Sequence, residues 1–315
     1  MSESLRVAAV DLNGQLRGKR VPKNQSGKQM RMPLSVLNID VFGADIEHSP
    51  LVFDSGDQDG VMVPAGRDLI PLPWVAGAAE LDLRVMHNED GSPFEGDPRI
   101  ALSNVLDRYA RQGWQVIAAC ELEFFLLEDG GNLVPPVNPK TGRRLTGTEI
   151  LSLRELDGFD LFFNDITNGA KLMGLGDLTI TTEAGVGQFE VTMAHGPALH
   201  IADHVILLKE LIKGTARNHG MAATFMAKPF SQDSGNGLHT HFSVINQAGE
   251  NILCNQTMLQ SAVAGCLEAI GAAPELYGTA GVECAPDPTP PCISKPLRMA
   301  VPCWPWQARW HQGEP

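Results

Sequence analysis

The sequence predicts an α+β protein in two parts, a small β-rich N-terminal domain followed by a larger α+β domain. Three observations predict it. Asn13-Gly14 sits between two short apolar-rich runs, the arrangement of a hairpin turn. Beyond residue 100 the apolar spacing becomes helical, with residues recurring three or four apart. Later, Glu and His residues occupy alternate positions of apolar segments, which places them on one face of a strand.

Arg6 to Leu12 reads as the first strand and Gln15 to Val21 as its return. Turn residues are dense from Gly43 to Pro73, with Asp54, Gly56, Asp57, Asp59 and Gly60 gathered before Val61-Met62-Val63-Pro64. The polar, Gly/Pro-rich stretch from Asn88 to Pro98 is the expected linker. Next, Ile100 to Gln112 carries Leu102, Val105, Leu106 and Tyr109 at helical spacing and closes at Gly113. Val116 to Leu127 reads as a strand. A second helix runs from Ala198 to Asn218, with Ile201, Val205, Leu208 and Ile212 on one stripe, Pro197 near its start and His219-Gly220 at its end. Ala222 to Met226 and Leu238 to Ile245 read as further strands. The expected division is 1–95, 96–278 and a separate tail, 279–315.

That tail holds three of the five Trp, three of the six Cys and eight of the 22 Pro, and carries no traceable period. A genuine C-terminal segment and a shifted reading frame would both look like this; the expectation is the second.

Composition narrows the function. The 315 residues have room for about two domains at roughly 150 residues each. With 37 acidic and 24 basic residues the formal charge is −13, which disfavours nucleic acid and anionic membrane as partners, since both demand Lys and Arg. No charged and apolar leader opens the chain, and no apolar run is of bilayer length. The six Cys form no CxxC or zinc spacing and read as reduced thiols. A cytoplasmic enzyme is expected.

Glu121 and Glu123 share one face of the Val116–Leu127 strand, with Leu122 and Phe124 on the other. Two like charges about 7 Å apart on so apolar a strand are costly unless cations neutralise them. The plainer reading is an edge strand with solvated carboxylates. Glu183 and Glu190 flank a Gly-rich turn that would direct both into one cleft; an acidic hairpin loop would look the same. In Gly235-Asn-Gly-Leu-His-Thr-His-Phe-Ser243, His239, His241 and Ser243 share a face. A His-x-His pair is a common metal or phosphate contact and, more often, simply hydrogen-bonded structure. Taken together, four carboxylates and the His pair suit Mg²⁺ or Mn²⁺ rather than zinc, and two such ions suit phosphoryl transfer. No Walker loop is present.

The ordered stretches LNGQLRGKRVP, ELEFFLL, EAGVGQFEV and ATFMAKPFSQDSGNGLHTHFSV resemble the glutamine synthetase family, from about residue 6 to 270. The resemblance implies a β-grasp-like N-terminal domain and a catalytic domain whose antiparallel sheet carries the metal ligands. It implies ATP, Mg²⁺ or Mn²⁺, and a glutamate γ-carboxylate that takes the ATP γ-phosphate before an amine displaces phosphate from γ-glutamyl phosphate. By motif, Glu123, Glu183 and Glu190 would hold the metal nearer glutamate, and Glu121 and His239 the metal at the ATP phosphates. Gly235 matches the glutamate-contacting loop, His241 the phosphate environment and Ser243 a nucleotide contact. Asp54 and Asp57 would complete the active site of a neighbouring subunit in a ring-shaped homo-oligomer.

The turn Glu183–Glu190 and the loop with Ser234 and Gly235 are most similar to the γ-glutamylpolyamine (γ-glutamylputrescine) synthetase branch, which implies a polyamine such as putrescine as acceptor. The alternatives are a glutamine synthetase using ammonia, or an inactive remnant that binds metal or nucleotide or co-assembles with an intact paralogue. The family's later Tyr-Arg-Arg stretch, further substrate-binding Arg and one more metal-ligand Glu are not recognisable after about residue 275.

Overall fold

The computed structural model describes residues 4–130, 133–272, 281–283 and 297–302. They form two compact units, Met1–Arg108 with Leu172–Gly174, and Tyr109–Lys171 with Leu175–Pro315. The fold class is α+β, as expected.

In the N-terminal unit β1 (Ser4–Val10) and β2 (Leu16–Pro22) form the antiparallel hairpin, with Gly14 at φ +70° in the turn. β3 (Met30–Pro33), a four-residue helix α1 (Pro50–Phe53), β4 (Asp59–Pro64), the two-residue β5 (Ile70–Pro71) and β6 (Ala79–His87) follow. The sheet order is β2-β1-β6-β4-β3, with β1 and β6 parallel and the other pairs antiparallel. Leu5, Val7 and Ala9 of β1 are fully buried and cluster with Met30, Met32, Leu37, Met62 and Met86. β6 has no clean alternation in its sequence, because Asp82 and Arg84 are buried within it. Their guanidinium–carboxylate hydrogen bond of 2.9 Å satisfies both charges inside the sheet.

The stretch expected as a linker is largely exposed but anchored at two buried residues. Phe94 joins the N-terminal core, and Asp97, 1% exposed, accepts hydrogen bonds from the backbone N–H groups of Met86, Arg99 and Ile100. It thereby caps α2 (Pro98–Ala110), whose first turn leaves N–H groups without helical partners. A single carboxylate thus ties a polar segment to both neighbours, which composition alone does not disclose.

The second unit is built on β7 (Gln115–Glu128). Helices α3 (Leu153–Gly158) and α4 (Asp160–Leu172) precede β8 (Leu178–Thr182), β9 (Gln188–Met193) and the short β10 (Gly196–Pro197). Helix α5 (Ala198–Asn218), β11 (Met221–Thr224), β12 (Gly237–Ile245) and α6 (Gln256–Ala272) follow. Two short strands, β13 (Gly281–Glu283) and β14 (Leu297–Pro302), pair with each other, and β14 with β12. The rest of the expected aberrant tail lies outside the described residues. The sheet runs β13-β14-β12-β7-β9-β8, with β10 and β11 also pairing with β7, and every pairing is antiparallel.

One face of this sheet is apolar. Phe124 lies 6.0 Å from Phe189 and 5.5 Å from Phe225 between ring centroids, and Phe159 and Phe163 meet Phe189 edge-on. Helix α5 packs on β7 and β11 through the stripe read from sequence, Ile201, Val205, Leu208 and Ile212 all being buried. Among the described cysteines Cys120 and Cys266 are free thiols, whereas Cys254 is disulfide-bonded. Cys254 thus departs from the expectation of six reduced thiols.

Candidate metal centre

Because β7 turns Leu122 and Phe124 into the core, it must present Glu121 and Glu123 on the opposite face. Its antiparallel neighbours bring further ligand-capable side chains alongside. On β12, His239 stands opposite Glu121 and His241 opposite Ala119; on β9, Glu190 stands opposite Glu123. Directly opposed residues have Cβ atoms about 4.5–5.5 Å apart, so pairing register alone gathers these side chains.

Glu121 joins the two histidines. Its Oε2 is 3.0 Å from His239 Nδ1 and its Oε1 is 3.0 Å from His241 Nε2, each a hydrogen bond when that nitrogen carries the proton. His239 Nδ1 is also 3.9 Å from Glu190 Oε2. One ligand-capable atom from each of Glu121, Glu190 and His239 lies within 4.8 Å of the others. Atoms on opposite sides of a cation with bonds of about 2.0–2.6 Å stand about 4–5 Å apart, so this trio is compact enough to share one ion. Glu190 stands beside both Glu123, which it opposes in register, and the Glu121–His239 pair.

Glu123 is held differently. Its Oε2 accepts from Gln188 Nε2 at 3.1 Å and from Gly237 N at 3.0 Å. Glu183 lies in the turn between β8 and β9, where its N–H donates to Gln188 O at 2.9 Å. Burial, and next the negative charge of Glu123, push the Glu183 carboxyl above the ordinary glutamate range. At an effective dielectric of about 20, two unit charges about 4 Å apart repel by about 4 kcal/mol, so a divalent ion among these carboxylates offsets a large cost. The donor set, carboxylate oxygens with one imidazole, fits Mg²⁺ or Mn²⁺.

Glycine shapes the surrounding turns at two points. Gly187 has φ +76°, and a Cβ there would also stand 2.9 Å from Pro136 Cδ. At Gly235 a Cβ would stand 2.7 Å from the Ala227 carbonyl oxygen, so only glycine lets the loop before β12 approach that backbone.

Ser243 sits on the His239–His241 face of β12, opposite Ile117. Asp54 and Asp57 belong to the N-terminal unit. Asp54 follows α1, and Asp57, with φ +56°, accepts a hydrogen bond from Ser35 Oγ. Neither belongs to the carboxylate–imidazole cluster.

Two residues escaped the sequence reading. Gln188, 1% exposed, and Asn236, 3% exposed, form the polar floor beneath Glu123. Gln188 Nε2 donates to Glu123 Oε2, Gly235 O and Asn236 Oδ1 at 3.1, 2.9 and 3.0 Å, and its Oε1 accepts from Gly185 N at 2.8 Å. Strand alternation could have found Gln188, since it shares the Glu190 face of β9. Asn236 carries no comparable signal.

Fold and site together define an α+β protein with a carboxylate–imidazole cluster on one face of an antiparallel sheet. The chain belongs to the glutamine synthetase family: residues 95–277 match the family described as glutamine synthetase, catalytic domain. It is 34% identical over 275 residues to the γ-glutamylputrescine synthetase PuuA of Escherichia coli K12, covering 83% of this chain and 58% of that protein. A glutamate–isopropylamine ligase of a Pseudomonas species is 28% identical, over 80% of this chain and 56% of its own length. Thermus thermophilus glutamine synthetase is 30% identical, over 78% and 54%. The chain thus spans little more than half the length of the curated relatives it matches. Among solved structures, a complex described as GmaS with ADP superposes with TM-score 0.65 at 30% identity, covering 79% of this chain and 55% of that one. The Plasmodium falciparum glutamine synthetase superposes with TM-score 0.73, covering 96% and 68%; at 15% identity it speaks for the fold alone. Among the described residues no helix is long and apolar enough to cross a membrane.

Proposed function

We propose that this chain acts as an ATP-dependent ligase that joins the γ-carboxylate of glutamate to an amine through γ-glutamyl phosphate, with a polyamine such as putrescine as acceptor. The observation that carries this reading is the group Glu121, Glu190 and His239 within a catalytic domain of this family. Glu123 and Glu183 extend the acidic surface. Bound Mg²⁺ or Mn²⁺ would supply the positive charge that a transferring phosphoryl group requires. The residues of the chain do the rest. Glu121 orients both imidazoles through its two oxygens, β7, β9 and β12 hold the ligands on one sheet, and the Gly235 loop, packed against the Ala227 carbonyl, would contact glutamate. In the same proposal His241 and Ser243 face the nucleotide, and Asp54 and Asp57 serve a neighbouring subunit of a ring-shaped homo-oligomer. The polyamine assignment is supported by the 34% identity to a protein named for putrescine.

The test is phosphate release from ATP with glutamate and either putrescine or ammonia, using the chain as given. Putrescine-dependent release exceeding ammonia-dependent release supports the assignment, and preference for ammonia returns it to glutamine synthesis. A second reading, metal and nucleotide binding without turnover, is favoured by the family match stopping at residue 277. Saturable Mn²⁺ binding with no phosphate release under either amine supports that one.

A further inference from the structure

We propose that Gln188 is a positioning residue: its side-chain amide locks the loop before β12 to the Glu123 carboxylate, so that loop conformation and ligand orientation are set together. Four observations carry it. The Gln188 Nε2 donates simultaneously toward Glu123 Oε2, Gly235 O and Asn236 Oδ1, spanning β7, β9 and the loop. Asn236 is anchored in turn, its Nδ2 donating to the Thr224 and Met226 carbonyl oxygens at 3.2 and 2.8 Å and its backbone N–H to Ala227 O at 2.8 Å. A second tie joins the same two segments, Val186 N–H to Asp233 Oδ2 at 3.1 Å. Finally, Gln188 Nε2 and Gly237 N both donate to Oε2 of Glu123, at 3.1 and 3.0 Å.

The chemistry follows from that geometry. An amide NH₂ has two protons for three acceptors, so Gln188 shares one proton and holds all three groups within a narrow range of positions. A carboxylate held by two donors loses rotational freedom about its last bond and is kept in a defined orientation. Ligand-orienting partners of this kind typically change metal affinity by about 10–100-fold when removed. Burial excludes water from replacing the amide, so its removal leaves acceptors facing acceptors. The metal limb of this inference rests on the reading given under Proposed function; the lock itself does not.

The test compares the full chain with Gln188→Met, which keeps the volume and deletes the amide, and with Gln188→Glu, which keeps the shape and replaces the donor with an acceptor. Two readouts are taken: hydrogen exchange of the backbone amides in metal-free protein, and Mn²⁺ affinity by electron paramagnetic resonance. We expect exchange at residues 234–237 to rise about tenfold or more in both variants while residues 240–245 of β12 keep their protection, and Mn²⁺ to bind about 10–100-fold more weakly. Unchanged exchange at 234–237 in a folded variant overturns the lock. Uniform acceleration along β12, or loss of fold in both variants, assigns Gln188 a merely structural role and also overturns it. Local acceleration together with no Mn²⁺ binding by the wild-type chain supports the lock and sinks the metal reading instead.

Discussion

At the scale of the residue, the site is an arrangement of charges that pairing register imposes. Glu121 stands opposite His239, Glu190 opposite Glu123, and the core-facing Leu122 and Phe124 leave β7 no alternative orientation. The shared faces were legible, because strand alternation depends only on position in the sequence, whereas the pairing register was not. Gln188 shares the legible Glu190 face of β9, but its role and that of Asn236 were not legible, because they arise where three separate segments converge. The buried pair Asp82–Arg84 leaves no sequence signal for a related reason: two charges that satisfy each other look, in sequence, like a solvated face. Glu121→Gln tests the residue-level account. The amide keeps the shape of the side chain and removes the charge, so Mn²⁺ affinity should fall at least tenfold while the metal-free melting temperature changes little. An unchanged titration midpoint would remove Glu121 from the ligand set.

At the scale of the element, the strands and helices with strong periodicity were visible and the context-dependent ones were not. The hairpin at Asn13-Gly14, the β12 strand and the α5 stripe match their expected positions closely. Helix α4 escaped, although Phe162, Phe163 and Ile166 are buried in it, because Asn164, Asp165, Asn168 and Gly169 weaken its helical pattern. Two predictions belong here. Phe124→Ala removes the ring that meets Phe189 and Phe225 on the face of β7 opposite Glu121 and Glu123, and should cost about 3–5 kcal/mol in urea unfolding, with a cavity left in its place. A loss under about 1 kcal/mol would show that this cluster collapses to fill the gap. In α3, burial, and next the charge of Glu149, raise the Glu155 carboxyl above its ordinary 4.5. A raised acid favours the folded state when protonated, so its contribution is complete below 4.5 and is lost as pH climbs through the folded value. Glu155→Gln should therefore flatten the decline in melting temperature with rising pH, and an identical pH profile would contradict that origin.

At the scale of the whole molecule, the chain combines an N-terminal unit that carries Asp54 and Asp57 with a sheet-based unit that carries the ligand cluster. The proposed ring would bring the first of one subunit to the second of its neighbour. Complementation checks this. In the turnover assay, Asp54→Asn and Glu121→Gln chains should each be inactive alone and recover part of the activity when mixed during refolding, since one junction in the mixed assembly has both parts intact. No recovery from a mixture shown to co-assemble would place the whole site within one chain.

The central claim, that β7, β9 and β12 together present a divalent-cation site, is tested most directly by titrating Mn²⁺ into the wild-type chain beside Glu190→Gln. The account predicts saturable binding to wild type, with a gain in stability of about 2.7 kcal/mol once free Mn²⁺ reaches about 100 times its dissociation constant, and a much smaller gain in the variant. Equal melting temperatures for the wild-type chain with and without Mn²⁺, and no saturable binding signal, would contradict it.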